Sequence, residues 1–431
     1  MAVCILALAT AAGAQNSLDP FFSTVPFGEW VKSPGAGQIP LKVSADPPML
    51  DDFQRLQLTM NISVDGRDVA KRPPKGHLQF FLQFGDAARN VYQGHGEFDL
   101  KEMKPNIKQA DVVYAQAILV MPGEYLAAMA VYDDETREYG IVRKTVRVPA
   151  MKDDPLPVAW RNMPPVEFVT STERPDVWFQ PDLTGRLFLP LALRTPARID
   201  LLMILPGEMG STERQNRMRG RLVASLKDLS QVDAMGSSVS AAVLDLTRRR
   251  VAFTQDLGSP ATLDWPKLAD AFGEANPGTI DVGSLANRGK GVEFFENEIG
   301  RRLQSSEKSA PRHIVIILAA PMQFPEGTEI HPIQLDEPAT AELYYLRIHG
   351  GPAPRPAIMP PSQRGGGRRG GGSPTGGGRF PPDEMRLGRL REGDDSLEAT
   401  LKPLNPHLFD IHGAEDFRKA LAAMLTEIAK R

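Results

Sequence analysis

Cysteine is almost absent: the chain has one in 431 residues, Cys4. That excludes a disulfide framework, and it excludes thiolate chemistry beyond residue 4. An excess of charge of one sign is lacking too. Lys and Arg number 50 against 53 Asp and Glu, a net charge of −3. No global field therefore points to nucleic acid or to a membrane surface. Past the N-terminus no segment is long and apolar enough for a membrane helix, so no stable membrane insertion is expected. The short catalytic motifs are missing as well: there is no H-E-x-x-H, G-x-S-x-G, P-loop or G-x-G-x-x-G. The seven histidines, His77, His95, His313, His331, His349, His407 and His412, are scattered. None has metal-pair spacing on a helix, although His407 and His412 share one strand and turn. With no nucleophile–base pair visible, no catalytic residue is named and no cofactor is expected.

What is present begins with an apolar run, Ala2 to Ala12, that ends in Ala12-Gly13-Ala14 before Gln15. This is the pattern of a signal-peptide core with a small-residue cleavage site, although no Lys or Arg precedes it. Residues 1–14 are read as a signal peptide containing Cys4. The protein is therefore expected to be exported, periplasmic or extracellular.

At this length two domains are the default. Residues 15–37 read as an extended arm broken by Pro and Gly. Residues 36–150 then show short alternating strands without helical periodicity, among them Arg55–Val64, His77–Phe84 and Leu126–Tyr132. An Asp65-Gly66 turn and an Asp133–Thr136 turn punctuate them. The pattern predicts an all-β sandwich. Its Pro122-Gly123-Glu124-Tyr125 turn, strand and Asp-rich hairpin resemble the immunoglobulin-like modules of secreted bacterial proteins. Asp133, Asp134 and Glu135 are read as solvated turn acids rather than a calcium site. Residues 151–190 are a proline-rich connector in which Trp160 and Trp178 are expected to pack at a seam.

From residue 191 to 431 the pattern changes. Arg198–Leu205, His313–Leu318 and Glu342–Ile348 are apolar runs without alternation, the mark of strands covered on both faces. Val239–Leu246 and Val251–Gln255 form a hairpin. Helices are expected at Arg214–Leu229, after Asp264, at about Val282–Leu303, and at Ala414–Lys430, whose inward face is Phe417, Leu421, Met424, Leu425 and Ile428. The expectation is an α/β domain with a mostly parallel sheet, one antiparallel edge strand and flanking helices. It carries a Gly/Arg-rich insert, residues 350–396, that is too poor in apolar side chains to pack. Aromatic interleaving in the insert is sparse, so it is read as a cationic tether rather than an RNA-binding tract.

This order of elements resembles the von Willebrand factor A (VWA) domain, and the closing Leu408-Phe-Asp-Ile-His-Gly-Ala-Glu-Asp-Phe-Arg-Lys-Ala-Leu421 looks like that family's last strand and helix. The resemblance spans roughly residues 190–431. It implies a metal-ion-dependent adhesion site with D-x-S-x-S after the first strand. Here that loop reads Leu205-Pro206-Gly207-Glu208-Met209, without the aspartate or the serines. Thr279 alone matches the family's second-loop threonine, and Ala319-Ala320-Pro321 replaces its third-loop aspartate. One hydroxyl cannot hold Mg²⁺. No metal is assigned; Glu208, Ser211 and Thr279 are the residues from which a displaced site would have to be rebuilt.

In open α/β sheets ligands sit beyond the carboxyl ends of the strands. The candidate binding residues there are Met209, Ser211, Thr212, Thr279, Met322 and Phe324, a set suited to a protein partner rather than to chemistry. The function expected is that of an exported, non-catalytic protein-interaction or scaffold protein. The alternatives are a divalent-metal adhesion module with a rebuilt site, and a hydrolase whose residues come from distant loops.

Overall fold

A computed structural model describes residues 18–33, 35, 37–103, 107–169, 183–205, 212–258, 262–274, 290–304, 312–324, 333, 341–350, 358–365 and 395–431. The expected signal peptide, Trp178, Glu208, Met209, Ser211, Thr279 and most of the Gly/Arg-rich insert lie outside these residues.

The first described residues are not an extended arm. Pro20–Thr24 forms a 3-10 turn capped by Asp19, and Phe27–Lys32 forms helix α1. Phe22, Phe27 and Trp30 pack against Phe81, Tyr132 and Ile141. Burying three aromatic side chains stabilises the fold by several kcal/mol, about 1.5–3 kcal/mol for a Phe, and the pattern of Pro and Gly alone hid this. Strands β1 (Leu41–Ala45), β2 (Met49–Leu50) and β3 (Leu56–Asp65) come next. Instead of a tight hairpin at Asp65-Gly66, the Asp65 side chain caps helix α2, Gly66–Val69. Then come β4 (His77–Gly85), β5 (Val91–Asp99), β6 (Ala110–Val120), β7 (Gly123–Asp133) and β8 (Tyr139–Val148).

Two sheets result. In one, β1, β3 and β6 pair antiparallel, with β2 also on β3. In the other, the order is β5-β4-β7-β8, antiparallel throughout. Alternation turns Leu58, Met60, Ile62 and Val64 of β3 inward, where they share a core with Phe80 and Phe84 of β4. The turn after β7 is held by Asp133, which accepts the backbone N–H groups of Glu135 and Thr136 and pairs with the Arg72 guanidinium. Those bonds keep its carboxyl below the usual range in spite of its burial.

The connector contributes more than packing. β9 (Val166–Phe168) joins the edge of β6, and β10 (Leu189–Pro190) later pairs parallel with β12 (Val232–Asp233). Of residues 186–193 only Leu189 and Pro190 lie in a strand ladder. Trp160 is buried, and its indole N–H donates to the Gln54 carbonyl at 2.7 Å.

β11 (Ala197–Ile204) is the strand that the apolar run from Arg198 foretold. It lies between β13 (Ser238–Asp245) and β15 (Arg312–Ala319). β16 (Ala341–Ile348) pairs with β15, and β18 (His407–Ile411) pairs with β16. β14 (Arg250–Leu257) runs antiparallel on β13, with a register shift at Val243/Leu244. The helices are α3 (Thr212–Leu229), α4 (Trp265–Glu274), α5 (Lys290–Gln304), α6 (Ser396–Leu401) and α7 (Ala414–Lys430). The first part of the expected helix from Val282 lies outside the described residues. α7 buries the inward face expected of it.

The expected fold class needs correction. Among the described residues strands make up 39% and helices 30%; of the four sheets two are antiparallel, the β10–β12 pair is parallel, and the sheet ordered β14-β13-β11-β15-β16-β18 is mixed, parallel except at β14. The whole is mostly β, with one hydrophobic cluster common to both regions, and is not a VWA-like α/β domain beside a separate immunoglobulin-like sandwich, although the sheet around β11 is itself mostly parallel with β14 as its antiparallel edge. The expectation weighed the alternation of strands and helices in one half of the chain. The overall strand share, the two-residue β10–β12 ladder and the number of sheets are set by tertiary partners, which hydrophobic periodicity does not encode. The insert differs as well: its residues 358–365 form β17, antiparallel on β6, with a register shift between Met359 and Ser362. Pro360 and Pro361 fall within that shift, the position at which proline is tolerated on an edge strand.

The two regions of the chain share one hydrophobic cluster, which runs from Met60 and Phe80 to Leu222, Leu421 and Ile428. Polar contacts reinforce the seam. Gln54 Nε2 donates to the Ala414 carbonyl, Arg221 pairs with Asp52 at 3.4 Å, and Arg418 pairs with Asp154 at 2.6 Å.

Candidate functional site

The carboxyl ends of β15, β16 and β18 meet at one rim, and α6 closes it. Asp395 caps α6, accepting the N–H of Leu397 at 3.2 Å. The same oxygen accepts the N–H of Met322, while Ser396 Oγ accepts that of Phe324. The segment after β15 is thereby fixed to the start of α6. The side chains of Met322 and Phe324 are half-buried against the core formed by Leu202, Val315, Tyr345 and Leu397. Of the expected binding residues, these two are brought together. Thr212 begins α3, and the remaining candidates lie outside the described residues.

Arg347 occupies the centre. Its Nε and Nη2 reach both oxygens of Asp410 at 2.6 and 2.9 Å, a forked contact. Nη1 donates to Glu398 at 2.5 Å and lies 3.8 Å from Asp395. The Tyr345 hydroxyl donates to Asp395 at 2.8 Å. Arg347 is nearly buried, whereas Glu398 and Asp410 are about two-fifths exposed and form the wet edge. His349 adds its Nε2 to Asp410 at 2.8 Å and stacks on His412 with ring centroids 4.2 Å apart. The sequence brought His407 and His412 to notice as neighbours, but the ring that His412 meets is that of His349. His407 stacks on Tyr344 instead.

The electrostatics arise from these contacts. The Arg347 hydrogen bonds hold the Asp410 carboxyl down at about 2, with His349 adding to the effect. Burial pushes the Asp395 carboxyl up, against the Tyr345 hydroxyl and the N–H groups of Met322 and Leu397. Burial also pushes the Tyr345 phenol well above its ordinary range. The shifts of Asp395, Asp410 and Tyr345 thus follow from burial and from the partners named above. Among the described residues no group of three or more His, Cys, Asp or Glu is placed to hold a metal ion.

A second polar constellation lies at the opposite end of the sheet and was missed in the sequence. Asp200 is fully buried in β11; it accepts Ser240 Oγ at 2.7 Å and Arg198 Nε at 3.1 Å, and contacts His313 Nε2 at 3.0 Å. Burial opposes its charge, yet the bonds to His313, Ser240 and Arg198 outweigh it and keep the carboxyl far below the usual range. Here the carboxylate sits between the hydroxyl and the imidazole. In a nucleophilic triad the imidazole sits between the other two. The trio therefore reads as a tie across three strands. Its signal in the sequence is a polar residue inside each of three apolar runs, with Asp200 and Ser240 directly opposite in register.

No protein-family model matches the chain, and no curated protein matches it. Among solved structures it is similar to one described as the X-ray structure of Northeast Structural Genomics Consortium target SoR45. That match covers 26% of this chain and 86% of the other, at 12% identity and a TM-score of 0.18. A likeness of that size carries no argument. The functional reading therefore rests on the site itself.

Proposed function

We propose that this chain is an exported, non-catalytic protein-interaction or scaffold module whose binding surface is the rim around Met322, Phe324 and Arg347, and that it binds without a metal. One observation supports this reading: half-buried apolar side chains lie beside a clamp of Arg347 and acidic side chains whose outer members, Glu398 and Asp410, face solvent. An apolar centre with a polar, hydrated edge is the usual anatomy of a protein interface. The rigidity of the rim fits as well, because backbone N–H groups and buried carboxylates fix it before any partner arrives.

The test is site-specific photo-cross-linking in cell-envelope fractions. A photoreactive residue replaces Phe324 in one sample and Met235, an exposed side chain on a separate loop, in the other. The expected result is a discrete protein adduct from position 324 that persists in EDTA and is absent from position 235. No adduct at 324 would overturn the reading. An adduct that EDTA abolishes would favour the metal-dependent adhesion alternative.

A further inference from the structure

Arg55, where the β2–β3 turn enters β3, and Asp228, near the carboxyl end of α3, line one cleft at the seam of the chain. Both are almost fully buried, at 3% and 1% exposure. Among the described residues, each holds one polar atom away from solvent without a hydrogen-bond partner: Arg55 Nη2 and Asp228 Oδ2. The neighbouring polar groups are already engaged. Arg55 Nη1 bonds Glu167, which also accepts the N–H and hydroxyl of Thr184, and Gln231 Oε1 accepts the N–H of Leu187. Buried groups of this strength are rarely left unmatched in a folded protein.

The cleft has room for about one water molecule. Its other walls include Phe53, Met163 and Leu187. Gly185 keeps it open. A Cβ there would fall 2.6 Å from Arg55 Nη1 and 2.9 Å from Met163 Sδ. The occupant must therefore be very small, accept a hydrogen bond from a guanidinium and donate one to a carboxyl oxygen. A cation meets neither the first polar demand nor the nearby positive charges of Arg55 and Lys227.

We propose that this cleft is a binding site for a single ordered water molecule. Its oxygen accepts from Arg55 Nη2, and one of its hydrogens is donated to Asp228 Oδ2. The water then joins the strand layer to α3 at a point where no direct ion pair does. Burial, together with the nearby Asp51 and Asp52, pushes the Asp228 carboxyl well above its ordinary range. The carboxyl oxygen can accept from the water in either protonation state.

High-resolution diffraction from the full chain is the first test. The expected result is an isolated density peak within hydrogen-bonding distance of both atoms. An empty cleft, or Arg55 in direct contact with Asp228, would overturn the proposal. Thermal melts give an independent sign test. With a bridging water, Asp228→Leu strands the Arg55 N–H and lowers the Tm, whereas Asp228→Asn, which still accepts from the water, leaves it within about a degree. A dry cleft gives the opposite sign for Asp228→Leu, because the change then removes an unmatched carboxyl, and a rise in Tm refutes the site. If the leucine variant fails to fold, the diffraction result still decides.

Discussion

Replacing Arg418 by methionine tests how far the seam depends on one buried ion pair. Arg418 is 1% exposed in α7, and its Nε and Nη2 bind Asp154 at 2.6 and 2.8 Å. Nη2 also donates to the Leu156 carbonyl at 2.8 Å, and the guanidinium lies 4.4 Å from the centroid of the Trp160 ring. Methionine keeps most of the apolar stem, so the loss is one of charge and hydrogen bonds. Asp154 is left largely buried without its partner. Removing one member of a buried pair costs about 3–5 kcal/mol. A domain of this size loses roughly 2–4 °C of Tm per kcal/mol. The first melting transition, tracked by circular dichroism at neutral pH, should fall by about 10 °C. Adding Asp154→Asn should recover part of that loss, because the second change removes the stranded charge; the coupling is read from the double-mutant cycle. A fall of less than about 2 °C, or full additivity of the two changes, would refute the reasoning.

The same contacts imply other outcomes. Burial pushes the Asp51 carboxyl up to about 7, with Asp52 adding to it and the N–H groups of Arg55 and Phe53 opposing it. The folded state therefore binds a proton that the unfolded chain, with an Asp pKa of about 3.9, has released. That stability is fully present below about pH 4 and is lost as the pH rises through about 7, so the Tm should be higher at pH 5 than at pH 8, and Asp51→Asn should reduce the difference, with Asp228, also raised by burial, contributing in the same sense. The carboxyls held down, Asp200 and Asp410 among them, act in the opposite sense and withdraw stability as the pH falls towards 2. At the rim, Arg347→Gln removes the cation shared by Asp395, Glu398 and Asp410; because Glu398 and Asp410 are about two-fifths exposed and screened by water, the cost should be about 1–3 kcal/mol, below that of a fully buried pair, with α6 losing its hydrogen-exchange protection first. Gly94→Ala puts a Cβ 2.4 Å from the Phe168 ring, which should cost about 1–3 kcal/mol in chemical denaturation; a neutral result would mean that β9 yields freely.

How much of this was legible in the sequence depended on the kind of information. Apolar runs located β11, β15 and β16, because continuous burial leaves a local trace. The 3.6-residue spacing located α7 for the same reason. Pairing leaves no such trace: nothing in Leu189-Pro190 announces a parallel bridge to Val232-Asp233, and nothing in the Pro-containing stretch at residues 358–365 announces a strand on β6. The fold class was misjudged on that account. The rim was half legible. Met322 and Phe324 were found because they come directly after a buried strand, where a site is expected. Arg347, Asp395, Glu398 and Asp410 were not found. Arg347 precedes the insert, Asp395 lies at its far end and Glu398 and Asp410 follow it, and only the β16–β18 register and the cap of α6 bring the four together. Asp200, Ser240 and His313 could have been found as polar residues inside apolar strands.

The central claim, a surface that needs no metal, is tested most directly by melting the purified chain in EDTA and then in millimolar Mg²⁺, Mn²⁺ or Ca²⁺. An ion that binds only the folded state stabilises it by about 2.7 kcal/mol at a hundredfold excess over its Kd. The expected result is the same Tm in all four conditions. A rise of several degrees with one ion would contradict the account and return Glu208, Ser211 and Thr279 to consideration as ligands.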